Sequence, residues 1–176
     1  NIVAWFRSYQ NDQWSEAQLL EKPFWPHSSS PRLVFDQNGD GLVTWAKHNS
    51  IVYRKYFRGG WFSLPHAVEG VPQSNMSLLI RSLVMNKQGQ ALLLFSQTNG
   101  RNKHNLWSTQ FFNNRDQCFW SPAYEIGPED DIQYHSVSAN IDENENAFVA
   151  WTTIDGNDST LWTTQKAALT GWDNAT

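Results

Sequence analysis

Apolar positions along the chain come in short runs of Val, Leu, Tyr, Trp and Thr, and clusters of Gly, Asn, Asp and Pro cut the runs apart. Runs of this length and make-up fit half-buried strands and predict an all-β chain. The best helical stretch by propensity is SEAQLLEK, residues 15–22. It is too short to hold a helix alone in water.

The runs repeat. LVFDQNGDGLVTW at 33–45 is echoed by LVMNKQGQALLLF at 83–95, 50 residues on, and by ANIDENENAFVAW at 139–151, 56 further. In each copy an apolar run meets a polar turn, and a second apolar run ends in an aromatic: Trp45, Phe95 or Trp151. That is a β-hairpin written three times. A third strand follows each hairpin, SIVYRKYF at 50–57, NLWSTQFF at 105–112 and TLWTTQKA at 160–167, and the opening NIVAWFRS fits the same slot. A turn then leads to a tryptophan that begins a fourth strand: Trp14, Trp61, Trp120 and Trp172, spaced by 47, 59 and 52 residues.

Four antiparallel strands in about fifty residues, repeated in tandem and rich in aromatics, predict β-propeller blades. One small twisted sheet cannot bury both faces, so each packs against its neighbour and large flat rings fill the wedge between them. Trp45, Phe95, Trp151 and the four strand-four tryptophans are expected in that wedge. A sandwich or another stack of sheets is the competing architecture. The predicted division is a partial blade at 1–24 and blades at 25–73, 74–127 and 128–176, the last short of its fourth strand. The total is about three and a quarter blades, against ~4–8 in a closed ring. The chain is therefore expected to be a fragment of a larger propeller, or to self-associate with a copy or partner that supplies the missing blades. Unclosed ends would present sticky faces and edges.

Composition narrows the classes. There are 13 Lys+Arg against 17 Asp+Glu, a net charge of −4, and no basic run. This argues against nucleic acid or an anionic membrane surface as main partner. No apolar stretch is long enough to insert across a membrane. The chain opens without Met or a signal-peptide pattern, so a removed leader or a longer parent is expected. Its one cysteine, Cys118, cannot form an internal disulfide; beside Phe119 and Trp120 it reads as a buried packing residue.

The stretch FDQNGDGLVTW at 35–45, with the G-W turn that follows it, resembles the tandem propeller repeats of exported bacterial proteins, among them sialidase-like (Asp-box) and lectin-like propellers. The resemblance implies a secreted, periplasmic or cell-surface location. An Asp-box looks like Ser-x-Asp-x-Gly-x-x-Trp, and here no serine stands two before Asp36. The sialidase family grips a carboxylate with three arginines; Arg32, Arg54, Arg81 and Arg101 are present, but their spacing does not group three of them. The same stretch resembles the calcium loops of integrin-type propellers, which implies Asp36, Asn38 and Asp40 as side-chain ligands, with Thr44 where that family has a closing Asp. No cofactor other than this calcium is expected. The competing reading is a plain turn, in which Asn, Asp and Gly tolerate left-handed φ. NKQGQ and DENEN, the other two copies, offer poorer calcium ligands and favour the turn.

Propeller topology places the 1→2 and 3→4 turns on one face and the 2→3 turns and crossovers on the other, where ligands usually bind. The crossovers EKPFWPHSSS, EGVPQSNMS and GPEDDIQYHS and the turns AKHNS, SQTNGRNKHN and TTIDGNDST carry the candidate ligand residues Trp25, His27, His48, His104, Tyr134 and His135. Trp25, flanked by Pro23 and Pro26, suits stacking on a sugar or a peptide anchor. No short His-x-His spacing suggests zinc, and no G-x-S-x-G, phosphate loop or H-E-x-x-H occurs. A glycosidase-type carboxylate pair would have to come from Asp130 or Asp131 with Asp155 or Asp158. The expected function is a non-catalytic recognition module that binds a glycan or a protein at the crossover face. The alternatives are a fragment of a sialidase-like glycoside hydrolase and a structural or assembly domain without a small ligand.

Overall fold

The computed structural model describes residues 5–20, 28–62, 64–72, 77–98, 104–113, 117–127, 133–168 and 170–176, with the side chains of Ser28 and Gln133 excepted. Among these residues every regular element is a strand and every pairing is antiparallel.

The strands form a series of small sheets in chain order. In the first, β1 (Trp5–Phe6), β2 (Tyr9–Gln10), β3 (Gln13–Trp14) and β4 (Gln18–Leu19) make one interrupted hairpin, with β1 on β4 and β2 on β3. The second has the order β5 (Ser28–Phe35), β6 (Gly41–Lys47), β7 (Ser50–Phe57), β8 (Gly60–Trp61), with β9 (His66–Ala67) also on β7. The third repeats this with β10 (Leu78–Met85), β11 (Ala91–Thr98), β12 (His104–Asn113), β13 (Cys118–Trp120) and β14 (Tyr124–Glu125). The fourth is β15 (Gln133–Ile141), β16 (Ala147–Asp155) and β17 (Asp158–Lys166). Its edge is extended by the tail, through a bridge from Lys166 to Trp172 and two hydrogen bonds, of 2.8 and 3.0 Å, between Thr163 and Thr176.

One hydrogen-bond pattern ties the four sheets together. The amides of Ser15, Phe62, Ser121 and Asp173, each one residue after a strand-four tryptophan, donate to the carbonyls of Ser8, Lys55, Gln110 and Gln165 at 2.8, 2.9, 2.8 and 2.9 Å. Just past that point the fourth strand breaks. A side chain on the third strand, Arg7, Arg54, Thr109 or Thr164, donates to the carbonyl of the same four residues at 2.8, 2.9, 2.7 and 2.8 Å. A backbone group lost from the ladder is thus satisfied by a side chain in every copy.

The three long hairpins share their turn as well. The first turn residue, Asp36, Asn86 or Asp142, accepts two backbone N–H groups at its Oδ1: from Asn38 and Asp40 (2.8 and 3.0 Å), from Gln88 and Gln90 (3.1 and 3.0 Å), and from Asn144 and Asn146 (both 2.8 Å). The fourth turn residue has left-handed φ: Gly39 at 79°, Gly89 at 82° and Glu145 at 66°. Glycine takes this region at no steric cost, whereas glutamate is strained there.

Side-chain burial gives the order of packing. Six residues of β6 in a row, Gly41 to Ala46, are buried, as are the first seven of β11, so the second and third sheets are covered on both faces. In β16 burial alternates: Ala147, Val149, Trp151 and Thr153 are buried, while Phe148 and Ile154 are exposed. Among the described residues the fourth sheet is covered on one face only. Three apolar clusters fill the gaps. Leu20 and Phe6 meet Val43, Trp45 and Trp61 between sheets one and two. Leu42, Ile51 and Val68 meet Phe95, Phe111 and Trp120 between two and three. Leu92, Leu106 and Ile126 meet Tyr134, Val149 and Trp151 between three and four.

Trp45, Phe95 and Trp151 therefore sit where the sequence puts them. Where it is described, the stretch 15–22 is extended, in keeping with its being too short for a helix: Gln18–Leu19 pair with Trp5–Phe6, and Leu20 is buried. Three expectations are corrected. Trp14 is 61 % exposed, whereas its counterparts Trp61 and Trp120 pack on a preceding sheet; among the described residues no sheet packs on Trp14. Tyr134 is not a loop residue; it belongs to β15 and is buried. Cys118 is exposed, at 3.3 Å from both Lys55 Nζ and Asn113 Oδ1.

Candidate functional site at the bulged first strands

The first strand of each long sheet carries a bulge at the same place. Register slips between Ser29 and Arg32 in β5, between Ile80 and Ser82 in β10, and between Tyr134 and Val137 in β15. All three bulges lie near the end that the crossovers enter and the 2→3 turns close. A bulge breaks alternation and re-aims side chains, and such irregularities gather beside functional sites. Here each one carries a cation or a histidine: Arg32, Arg81 and His135. The first strands also adjoin one another, β5 against β10 and β10 against β15.

Arg81 is half-buried. Its Nε donates to the buried Ser96 hydroxyl at 2.8 Å, and burial holds its pKa below the ordinary guanidinium value. Among the described residues no carboxylate pairs with it. Exposed Arg32 donates to its neighbour's carbonyl, Pro31 O, at 3.1 Å and reaches Ile80 O on the next first strand at 3.5 Å. Two arginines thus stand on adjoining first strands, and a guanidinium is the side chain best suited to pair with a carboxylate or sulfate. Arg54 is elsewhere, spent on the carbonyls of Phe62 and Leu20. Arg101 lies outside the described residues.

Of the candidates read from sequence, Trp25 and His27 lie outside the described residues. His48 is exposed at left-handed φ (56°) in the 2→3 turn of the second sheet. His104 opens β12, with Nδ1 3.2 Å from Thr98 Oγ1. His135 is exposed in its bulge. These three histidines share the crossover end but make no group that could hold a metal. Buried Tyr134 packs between sheets three and four, and a Cβ on Gly127 would lie 2.6 Å from its hydroxyl. Asp155 and Asp158 face each other across the turn from β16 to β17; Asp130 and Asp131 lie outside the described residues. Arg32 and Arg81 carry little signal in the sequence because a bulge leaves little trace in composition; Pro31, which cannot donate to a ladder, is the one sign of the first bulge.

The calcium candidates belong to the opposite end. Asp36 spends Oδ1 on the turn amides, and Asp40 Oδ1 accepts the Arg58 amide at 3.2 Å, which ties the 1→2 turn to the 3→4 turn. Neutral Asn86 builds the same turn, so turn geometry accounts for Asp36 without an ion. Among the described residues no group of three or more His, Cys, Asp or Glu converges to hold a metal.

Two further clefts lie among the described residues. One of about 460 Å³ is lined by Glu125, Trp162, Trp172 and Asn174, and in it Glu125 is already bonded to Asn105 at 2.6 Å. The other, of about 430 Å³, opens on the uncovered face of the fourth sheet. No protein-family model matches the chain, and no curated protein matches it.

Proposed function

We propose that the chain is a non-catalytic recognition module of β-propeller type, about three and a quarter blades long, that holds an anionic group of a glycan or protein at its crossover end. The observation that carries this reading is Arg81: a half-buried guanidinium at a first-strand bulge, bonded to Ser96 and facing no carboxylate among the described residues. Arg32 on the adjacent first strand and His135 in the third bulge extend the row. Adjoining first strands support the propeller arrangement, in which the innermost strands line the axis. Export to the periplasm or cell surface accompanies the reading through the likeness of the repeats. The glycoside-hydrolase alternative has less support, since Arg54 is engaged elsewhere.

The test is a glycan array carrying carboxylated, sulfated and neutral sugars, read with the wild type and with Arg81→Gln. The wild type is expected to retain the acidic glycans, with retention falling as salt rises. The variant is expected to lose roughly tenfold or more, the scale of a charge-assisted bidentate pair. Retention of neutral glycans alone, or acidic binding unchanged in the variant, refutes the assignment.

A further inference from the structure

The inner seams of the stack show what its two outer faces are made to meet. Leu42 and Ile51 on the second sheet are fully buried under the third, and their counterparts Leu92 and Leu106 are fully buried under the fourth. On the fourth sheet the same two positions are Phe148, 50 % exposed, and Leu161, 64 % exposed. The first sheet shows the converse. Trp61 packs edge-on against Phe6 of the sheet before it at 4.9 Å, and Trp120 against Tyr53 at 5.6 Å. Their counterpart Trp14 lies exposed beside Tyr9.

Polar positions repeat the contrast. Between sheets two and three the seam at the hairpin end encloses only about 10 Å³, lined by Asp36, Asp40, Gly41 and Lys55 on one side and Gly89 and Asn113 on the other. At the fourth sheet the counterparts Asp142, Asn146, Ala147 and Gln165 line the open cleft of about 430 Å³. Across closed seams that third-strand position is bonded: Lys55 Nζ donates to Asn113 Oδ1 at 2.7 Å, and Gln110 Oε1 accepts from Lys166 Nζ. Gln165 stands at the same position and is exposed. Arg54 Nη1 reaches back to Leu20 O at 2.9 Å, whereas its counterpart Arg7 bonds, among the described residues, to Ser15 O and lies over the Trp14 ring.

We propose that the far face of the fourth sheet, around Phe148, Leu161 and Gln165, receives the near face of the first sheet, around Tyr9 and Trp14, of a second copy of this chain. One chain carries both halves of a seam that it closes internally between its own sheets, so a second copy continues an interface already present. Charge agrees as well, with Asp142 lining the receiving cleft and Arg7 on the arriving face. The contact is head-to-tail, and such contacts build a ring or an open row. Faces that stay in solvent carry polar residues, whereas these two faces present Trp14, Tyr9, Phe148 and Leu161.

Sedimentation velocity over roughly 1–200 μM, the range of weak to moderate association, tests the contact. The wild type is expected to gain mass with concentration. Leu161→Glu blocks one half and Trp14→Glu the other, so each alone is expected to lose roughly tenfold or more in association. An equimolar mixture of the two variants retains one intact half of each kind and is expected to form dimers and nothing larger. Phe148→Lys and Tyr9→Lys repeat the comparison, and far-UV circular dichroism checks that every variant folds. A wild type that stays monomeric overturns the proposal; such a result would leave the two faces to other partners. A single variant that keeps wild-type association, or a mixture that stays monomeric, overturns it equally.

Discussion

Replacing Asn86 by alanine strips one buried side chain of four hydrogen bonds and so tests how the turns hold neighbouring sheets together. Asn86 is 4 % exposed. Its Oδ1 accepts the amides of Gln88 and Gln90 at 3.1 and 3.0 Å; its Nδ2 donates to Gln90 Oε1 at 2.7 Å and, across the seam, to Asp142 O at 3.0 Å. A net contribution of about 1 kcal/mol per bond gives up to about 4 kcal/mol. Water reaching the exposed Gln88 amide recovers part of this, which leaves a loss of about 2–4 kcal/mol. In urea, with a slope of about 2 kcal/mol per molar, the midpoint falls by about 1–2 M. Asp36→Ala removes the two turn bonds and, among the described residues, no hydrogen bond to a second sheet, so its loss is about 1–2 kcal/mol. Urea unfolding followed by circular dichroism measures both. If Asn86→Ala lies within about 0.5 kcal/mol of wild type, or costs less than Asp36→Ala, the turn does not tie the sheets as described.

Leu106 and Leu161 occupy one position in successive sheets, the first fully buried and the second exposed. Leu106→Ala is expected to cost about 2–5 kcal/mol and Leu161→Ala less than about 0.5 kcal/mol in dilute protein; equal costs by thermal melting would contradict the stated order of packing. The Asp142 carboxyl is held below its ordinary pKa by the side-chain hydrogen bond from Asn146, then by the backbone amides of Asn146 and Asn144. A depressed folded pKa means stability that is present above the unfolded carboxylate value and lost as pH falls through the folded one. Below about pH 4, Asp142→Asn is therefore expected to flatten the fall of the urea midpoint, and an unchanged acid slope would count against this hydrogen-bond set.

The hairpins were legible because one short pattern recurs: an apolar run, an Asx, a polar turn with Gly at its left-handed position in two of the three copies, and an apolar run closing on Trp45, Phe95 or Trp151. Each element of that pattern has a local physical cause. Which sheets have neighbours was not legible, since Trp14 and Trp120 look alike in sequence and differ only in what packs on them. Tyr134 was misplaced for a related reason: a polar strand entry beside Asp and His reads as a loop until Thr153 is seen opposite it. Cys118 lies among aromatics in sequence and shares its face of β13 with Trp120, but it sits at the start of the strand beside the polar Lys55 and Asn113 and stays exposed. The crossover end was recognised as the chemically rich one through its histidines, but the arginines that carry the proposed site are placed by bulges, and bulges depend on register.

Four sheets are built to one hydrogen-bond plan, and amide exchange read by NMR examines that plan directly. The amides of Ser15, Phe62, Ser121 and Asp173 are each expected to exchange more slowly than in an unstructured peptide, with Phe62 and Ser121, in the sheets covered on both faces, the slowest of the four. Exchange of Phe62 or Ser121 at the unstructured rate would contradict the repeat.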